Sequence, residues 1–128
     1  MKDIKQVIVV RKDLNLRKTE LASQVATASM GFLLENNESE RNDELNVKLS
    51  HEEVMWLNGS FEKIIVGVDS EQDLRDLMFK AEMEGIGVYP VHYKSKNNYQ
   101  DDITISCAAL GPDDSKVIGH VTGHLKSI

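Results

Sequence analysis

Four cations, Arg11, Lys12, Arg17 and Lys18, fall within eight residues near the start of the chain. They separate a β-branched run at residues 4–10 from a helical pattern, so their loop opens at the carboxyl end of a strand, where open α/β sheets bind ligands. Lys18 stands just ahead of the helix N-terminus, where the macrodipole opposes a cation by roughly 0.3 kcal/mol. An anion held there by free backbone amides and the neighbouring cations would reverse that sign, which makes phosphate or carboxylate the ligand chemistry the loop suits. The plainer reading of the same residues is a solvated charged loop.

Other reactive residue types have weaker company. His120 and His124 have the i, i+4 spacing of a metal-binding helix face, but no glutamate follows the first, and Gly119 and Gly123 weaken any helix through them. Packing or capping accounts for both. Cys107, the single cysteine, cannot form an internal bridge and lies in an apolar run, which fits a buried small hydrophobe better than a nucleophile. His92, at the end of another strand-like run, is placed to act as a base at the mouth of a site, or to be an ordinary surface or half-buried histidine. Gly85-Ile86-Gly87 lacks a third glycine and follows a helix, and no P-loop lysine motif occurs, so dinucleotide binding and nucleotide hydrolysis are disfavoured. Neither a disulfide nor a structural metal is expected.

The elements that must position these residues are read from periodicity. Residues 4–10 (IKQVIVV) suit a strand buried on both faces. Thr19 then caps a helix carrying Leu21, Val25, Ala28 and Phe32, whose other edge (Ala22, Ala26, Ser29) is small enough for close packing. Residues 35–46 are acidic and without apolar period, a solvated loop. Ser50 and Glu53 form a capping box for a short helix with Val54 and Leu57 inward, stopped at Asn58-Gly59. Residues 63–68 form a second strand. Asp69 or Ser70 caps a helix with Leu74, Leu77, Met78 and Ala81 on one face, ending at Gly85. Residues 88–93 make a third strand, 99–102 a polar turn, and 104–110 a fourth strand ended by Gly111-Pro112, with Asp113 or Asp114 starting a last helix. This order predicts a single α/β domain over residues 1–128: a four-stranded mixed sheet, mostly parallel with one antiparallel pairing, and helices on both faces.

Composition agrees with that class. The chain has 128 residues, 41% of them hydrophobic and 28% charged, enough for one core without staples. No run approaches the ~18 apolar residues of a membrane span, and the N-terminal run is too short for a signal peptide, so a cytoplasmic protein is expected. The formal charge of -6 argues against broad nonspecific nucleic-acid binding. Its distribution matters more. Residues 1–18 hold six basic side chains against Asp3 and Asp13, giving +4 there and -10 over the remainder.

Three stretches, KQVIVVRKDLNLRKTELASQVATAS (residues 5–29), WLNGSFEKIIVGVDSEQDL (56–74) and TISCAALGPDDSKVIGHVTGHLK (104–126), give the chain a known likeness. It resembles, over nearly its whole length, the archaeal and eukaryotic type of peptidyl-tRNA hydrolase, the second of two unrelated families with that activity. The resemblance implies hydrolysis, without metal or cofactor, of the ester joining a peptide to the 3′ end of tRNA. It implies tRNA as the partner and is compatible with a homodimer.

Residue by residue, Lys18 matches the family's lysine at the helix start, Gln24 its glutamine, and Thr104 with Ser106 its T-x-T pair. These four are the catalytic candidates, and Arg11, Lys12, Arg17 and Lys18 are the candidates for holding tRNA. Three departures go with them. Thr27 stands where the family has histidine, Glu20 where it has a second loop lysine, and Tyr93 or Lys94 where it has an aspartate. Asp101 or Asp102 could approach the site from the same loop to supply that acid, and Lys94 and Lys96 could add positive charge. The alternative reading is a relative that binds tRNA ends or a protein partner without turnover.

Overall fold

β1 (Ile4–Arg11) is buried along both faces, with Val7 and Val9 on one and Ile8 and Val10 on the other. The computed structural model describes residues 2–94 and 103–128. It seats β1 between β2 (Lys63–Val68) and β4 (Ile103–Asp114), with β3 (Val88–Lys94) outside β4, in the order β2-β1-β4-β3. The polar turn expected at 99–102, with Lys96, Asp101 and Asp102, lies outside the described residues.

The mixed four-stranded sheet is as expected, but its balance of pairings is reversed. Only β1 and β2 pair in parallel, while β4 runs antiparallel to both β1 and β3. Three strands do point the same way. The fourth lies in the middle, so a single reversed strand creates two antiparallel interfaces. β4 can occupy that position because Cys107, Ala108 and Ala109, each no more than 1% exposed, leave room for helices on either side.

α1 (Lys18–Ser29) covers the Ile8, Val10, Cys107 and Ala109 face, and α4 (Glu71–Met83) with α5 (Ser115–Thr122) covers the Val7, Val9, Ala108 and Leu110 face. The caps of α3 (His51–Asn58), α4 and α5 follow local sequence. Ser50 and Glu53 form the capping box, Ser70 accepts from the Asp73 amide, and Asp114 accepts from the Lys116 amide. Among the described residues, no helix is long and apolar enough to cross a membrane.

Several local expectations change. α1 begins at Lys18, so Thr19 is inside the first turn and is not the cap. The N-cap residue is Arg17, which makes no side-chain capping bond. The helix stops at Ser29, and Phe32 belongs to a separate turn, α2 (Gly31–Glu35). Gly31 lets that turn approach the sheet, since a Cβ there would lie 2.6 Å from Tyr89 Cβ.

In α3 Trp56, 1% exposed, is the buried residue and Leu57 packs partly buried beside it as expected, while Val54 is exposed. The indole meets Phe32 edge-on at 5.8 Å and donates to Glu62 O at 2.8 Å, using both its apolar body and its N–H. β4 does not end at Gly111. Gly111, at φ 88, and Pro112 form a bulge opposite Gln6, after which Asp113 and Asp114 pair with Lys5 and Ile4.

Buried Gln6 ties α1 to the sheet. Its Nε2 donates to Ser29 O at 3.0 Å, and Ser29 Oγ donates to its Oε1 at 2.6 Å. Phe32, Trp56 and Ile4 form a separate small cluster at the far end of β1. Phe32→Ala is expected to lower stability by about 3–5 kcal/mol, read as a shift of the urea midpoint, because the cavity opens beneath Trp56.

Candidate active site

The carboxyl end of β1 and the beginning of β4 meet at one end of the sheet. Arg11, the last residue of β1, turns its guanidinium inward until only 9% of the side chain is exposed. A cation so placed needs acceptors on every side. Asp13, in a 3-10 turn at Lys12–Leu14, accepts from Nε at 3.1 Å and from Nη2 at 2.7 Å. Nη1 donates to Thr104 Oγ1 at 2.8 Å, to Ile105 O at 3.0 Å and to Glu71 Oε1 at 3.4 Å. Thr104 Oγ1 donates in turn to Glu71 Oε1 at 2.7 Å, and Arg75 Nε donates to Glu71 Oε2 at 2.8 Å.

Charge follows these bonds. The hydrogen bond to Asp13 raises the Arg11 pKa against the opposing effect of burial, and the same bond lowers that of Asp13. Glu71 is held below the usual carboxylate range, first by the Thr104 hydroxyl and then by Arg75.

The other candidates group around α1. Cys107 Sγ donates to Gln24 O at 3.7 Å and lies 3.9 Å from Ser106 Oγ, so Gln24 and Ser106 flank one thiol. Ser106 is buried in a second bulge of β4, where Val91 faces Cys107 and His92 faces Ile105. The Gln24 Oε1 is buried without a hydrogen-bond partner. Burial pushes the Cys107 thiol up to about 11, consistent with a packed hydrophobe rather than a nucleophile.

Lys18 is exposed and, among the described residues, makes no hydrogen bond or ion pair. It stands at the rim of an apolar groove of about 650 Å3 between α1 and the β2 side of the sheet, floored by Ile8, Leu21, Val25 and Ile65. Thr27 lies on the opposite side of α1, in a hollow of about 420 Å3 shared with Tyr89 and Pro90, and its hydroxyl donates to Ser23 O at 3.0 Å. Lys12 pairs with Asp69 at 3.2 Å and, with Arg11 and Lys126, lines a third hollow of about 310 Å3. Arg17 is exposed. Tyr93 faces Thr104 across the β3–β4 ladder and Lys94 faces Ile103. His92, His120 and His124 are all exposed.

The structure therefore joins Arg11 to Thr104 directly, while Cys107 links Ser106 to the main-chain carbonyl of Gln24 and not to its side chain. It sets Lys18 on one side of α1 and Thr27 on the other. Sequence reasoning missed Glu71, 60 residues from Arg11, and gave Asp13 no role beyond its charge. Topology was the available signal. Parallel neighbours β1 and β2 end at the same edge, so the first turn of α4 must open beside the end of β1.

An α/β scaffold whose first strand-to-helix loop carries Arg11, Lys12, Arg17 and Lys18, with Arg11 bonded to the Thr104 hydroxyl of a central strand, offers an anion-binding class of site by its chemistry. Comparison with known proteins narrows the class. Residues 4–128 match the family model described as Peptidyl-tRNA hydrolase PTH2, and the chain belongs to that family. It is similar to proteins named Peptidyl-tRNA hydrolase from Nanoarchaeum equitans, at 35% identity over 96% of this chain and 97% of the relative. Two further relatives of the same name come from Methanothermobacter thermautotrophicus, at 34% over 96% and 98%, and Haloquadratum walsbyi, at 32% over 95% and 97%.

Because the folded-state pKa values of Asp13 and Glu71 are depressed, their contribution to stability is present above the ordinary carboxylate range and lost as pH falls through the lower folded values. The urea midpoint is expected to hold from pH 7 to about 5 and to decline below about pH 4, with a smaller acid decline in Glu71→Gln.

Proposed function

We propose that this chain hydrolyses the ester between a peptide and the 3′-terminal ribose of tRNA, releasing a peptide carboxylate and free tRNA. The observation that carries the reading is family membership across residues 4–128. The polarity of the chain supports it: a molecule with net charge -6 that concentrates cations at one strand-to-helix loop has a place for a polyanion and repels it elsewhere.

The chemistry assigns the following roles. Water attacks the ester carbonyl, the developing oxyanion needs a donor, and the 3′ phosphates need a grip. Lys18 and the uncapped first-turn amides of α1 supply positive potential for the oxyanion or the nearest phosphate. Thr104, Gln24 and Ser106 position water and the peptide carbonyl. Lys12, Arg17 and Lys18 hold phosphates. Most Arg11 donors are taken by Asp13, Thr104, Glu71 and Ile105, so Arg11 contributes by holding Thr104 rather than by gripping tRNA. Hydrolysis linked to translation fits a cytoplasmic protein. A homodimer is compatible with this reading and is not needed by it.

In single-turnover assays with labelled peptidyl-tRNA, cleavage above buffer is expected, with Lys18→Ala slower by about tenfold to a hundredfold. Binding should weaken by about one to two powers of ten as salt rises from ~50 to ~200 mM. Binding without cleavage would replace this reading with the non-hydrolysing relative.

Thr27→His tests the departure at that position separately. A faster reaction, by up to about a hundredfold, is expected where an imidazole can reach the water from the β3 side of α1; an unchanged rate would take position 27 out of the reaction.

A further inference from the structure

We infer that Glu71 is a positioning residue that fixes the direction of the Thr104 hydroxyl, so that Thr104 meets the attacking water only as a hydrogen-bond acceptor. The inference rests on the proposed ester hydrolysis and assigns a task within it to a residue 33 positions from Thr104.

Protons and lone pairs fix the direction of this hydroxyl. A threonine hydroxyl has one proton and two lone pairs, a guanidinium only donates, and an ionised carboxylate only accepts. Thr104 Oγ1 touches one of each, Arg11 Nη1 at 2.8 Å and Glu71 Oε1 at 2.7 Å. Its proton must therefore point at Glu71, and one lone pair must take the proton of Arg11. A single lone pair remains.

Neither partner is placed to release the hydroxyl. Arg11 is held by both Asp13 oxygens and by Ile105 O, and Glu71 is held from its other oxygen by Arg75. The half-buried Thr104 thus cannot donate to a tetrahedral oxyanion, a task left to the cationic end of α1. It can accept one proton of a water, which aims a lone pair of that water at the ester carbonyl. Glu71 is also a poor candidate for removing the water's proton through the hydroxyl. Three neighbours, Thr104, Arg75 and Arg11, all favour its ionised form.

The test is a set of single-turnover measurements with peptidyl-tRNA, each variant first checked for native thermal unfolding. Glu71→Ala should lower the rate at saturating enzyme by about tenfold or more with little change in substrate binding, because the freed hydroxyl can rotate. Glu71→Gln, which keeps an oxygen acceptor while exposed Arg75 swings aside, should recover most of that loss. Glu71→Asp, which keeps the charge but withdraws it by one methylene, should follow alanine and serves if Glu71→Ala does not fold. In a Thr104→Val background, Glu71→Ala or Glu71→Asp should change the rate by less than about twofold.

Equal losses in both backgrounds would overturn the inference, as would Glu71→Gln being as slow as alanine, since that would make the carboxylate itself the requirement. A wild-type protein that cleaves nothing would instead sink the hydrolase reading beneath it.

Discussion

Burial of the two central strands on both faces is the constraint from which the rest of this structure follows. β1 meets it with valine and isoleucine on either side, and β4 with Cys107, Ala108 and Ala109, whose small side chains let α1 and the α4–α5 layer close on the same ribbon of backbone. Two antiparallel strands held in this way put the end of one against the start of the other. Arg11 and Thr104, 93 residues apart in the chain, become neighbours because the hydrocarbon layers leave them no other arrangement.

A buried guanidinium sets the second condition. Asp13, Thr104, Glu71 and the Ile105 carbonyl come from a turn, a strand, a helix start and the backbone, and together they satisfy one cation. The exposed cations nearby differ in kind. Lys18 and Arg17 stand at the mouth of α1 with their charge facing solvent, where it acts at a distance and is screened by salt. One end of the sheet thus carries a fixed internal lattice of hydrogen bonds beneath an adjustable outer charge, which suits a reaction that needs a stationary water and a long flexible polyanion.

What could be read beforehand was what short stretches of chain decide. The β-branched run of β1, the Ser50–Glu53 capping box and the Ser70 start of α4 each depend on neighbours a few residues away, and each is found in the structure. The break after Ser29 was hidden because it depends on Tyr89 pressing against Gly31. Trp56 took the inward position from Val54 because a partner ring and a carbonyl acceptor waited for it, one from α2 and one from the approach to β2. The middle place of β4 was also hidden, since strand runs do not state their order in space. At the site, residue types were legible and their partners were not: Thr104 could be named, but Glu71 became its partner only once β2 lay beside β1.

The outer margins of the sheet carry one more consequence. Along β2, Gly67 donates to Lys126 O and Ile128 donates to Ile65 O, with Ser127 bridged to Val66, so the last residues are zipped onto the open side of that strand. At the other margin, Pro90 in β3 has no amide to offer. Stray polypeptide therefore meets one occupied ladder and one interrupted ladder, an arrangement that disfavours edge-to-edge strand addition to an apolar sheet.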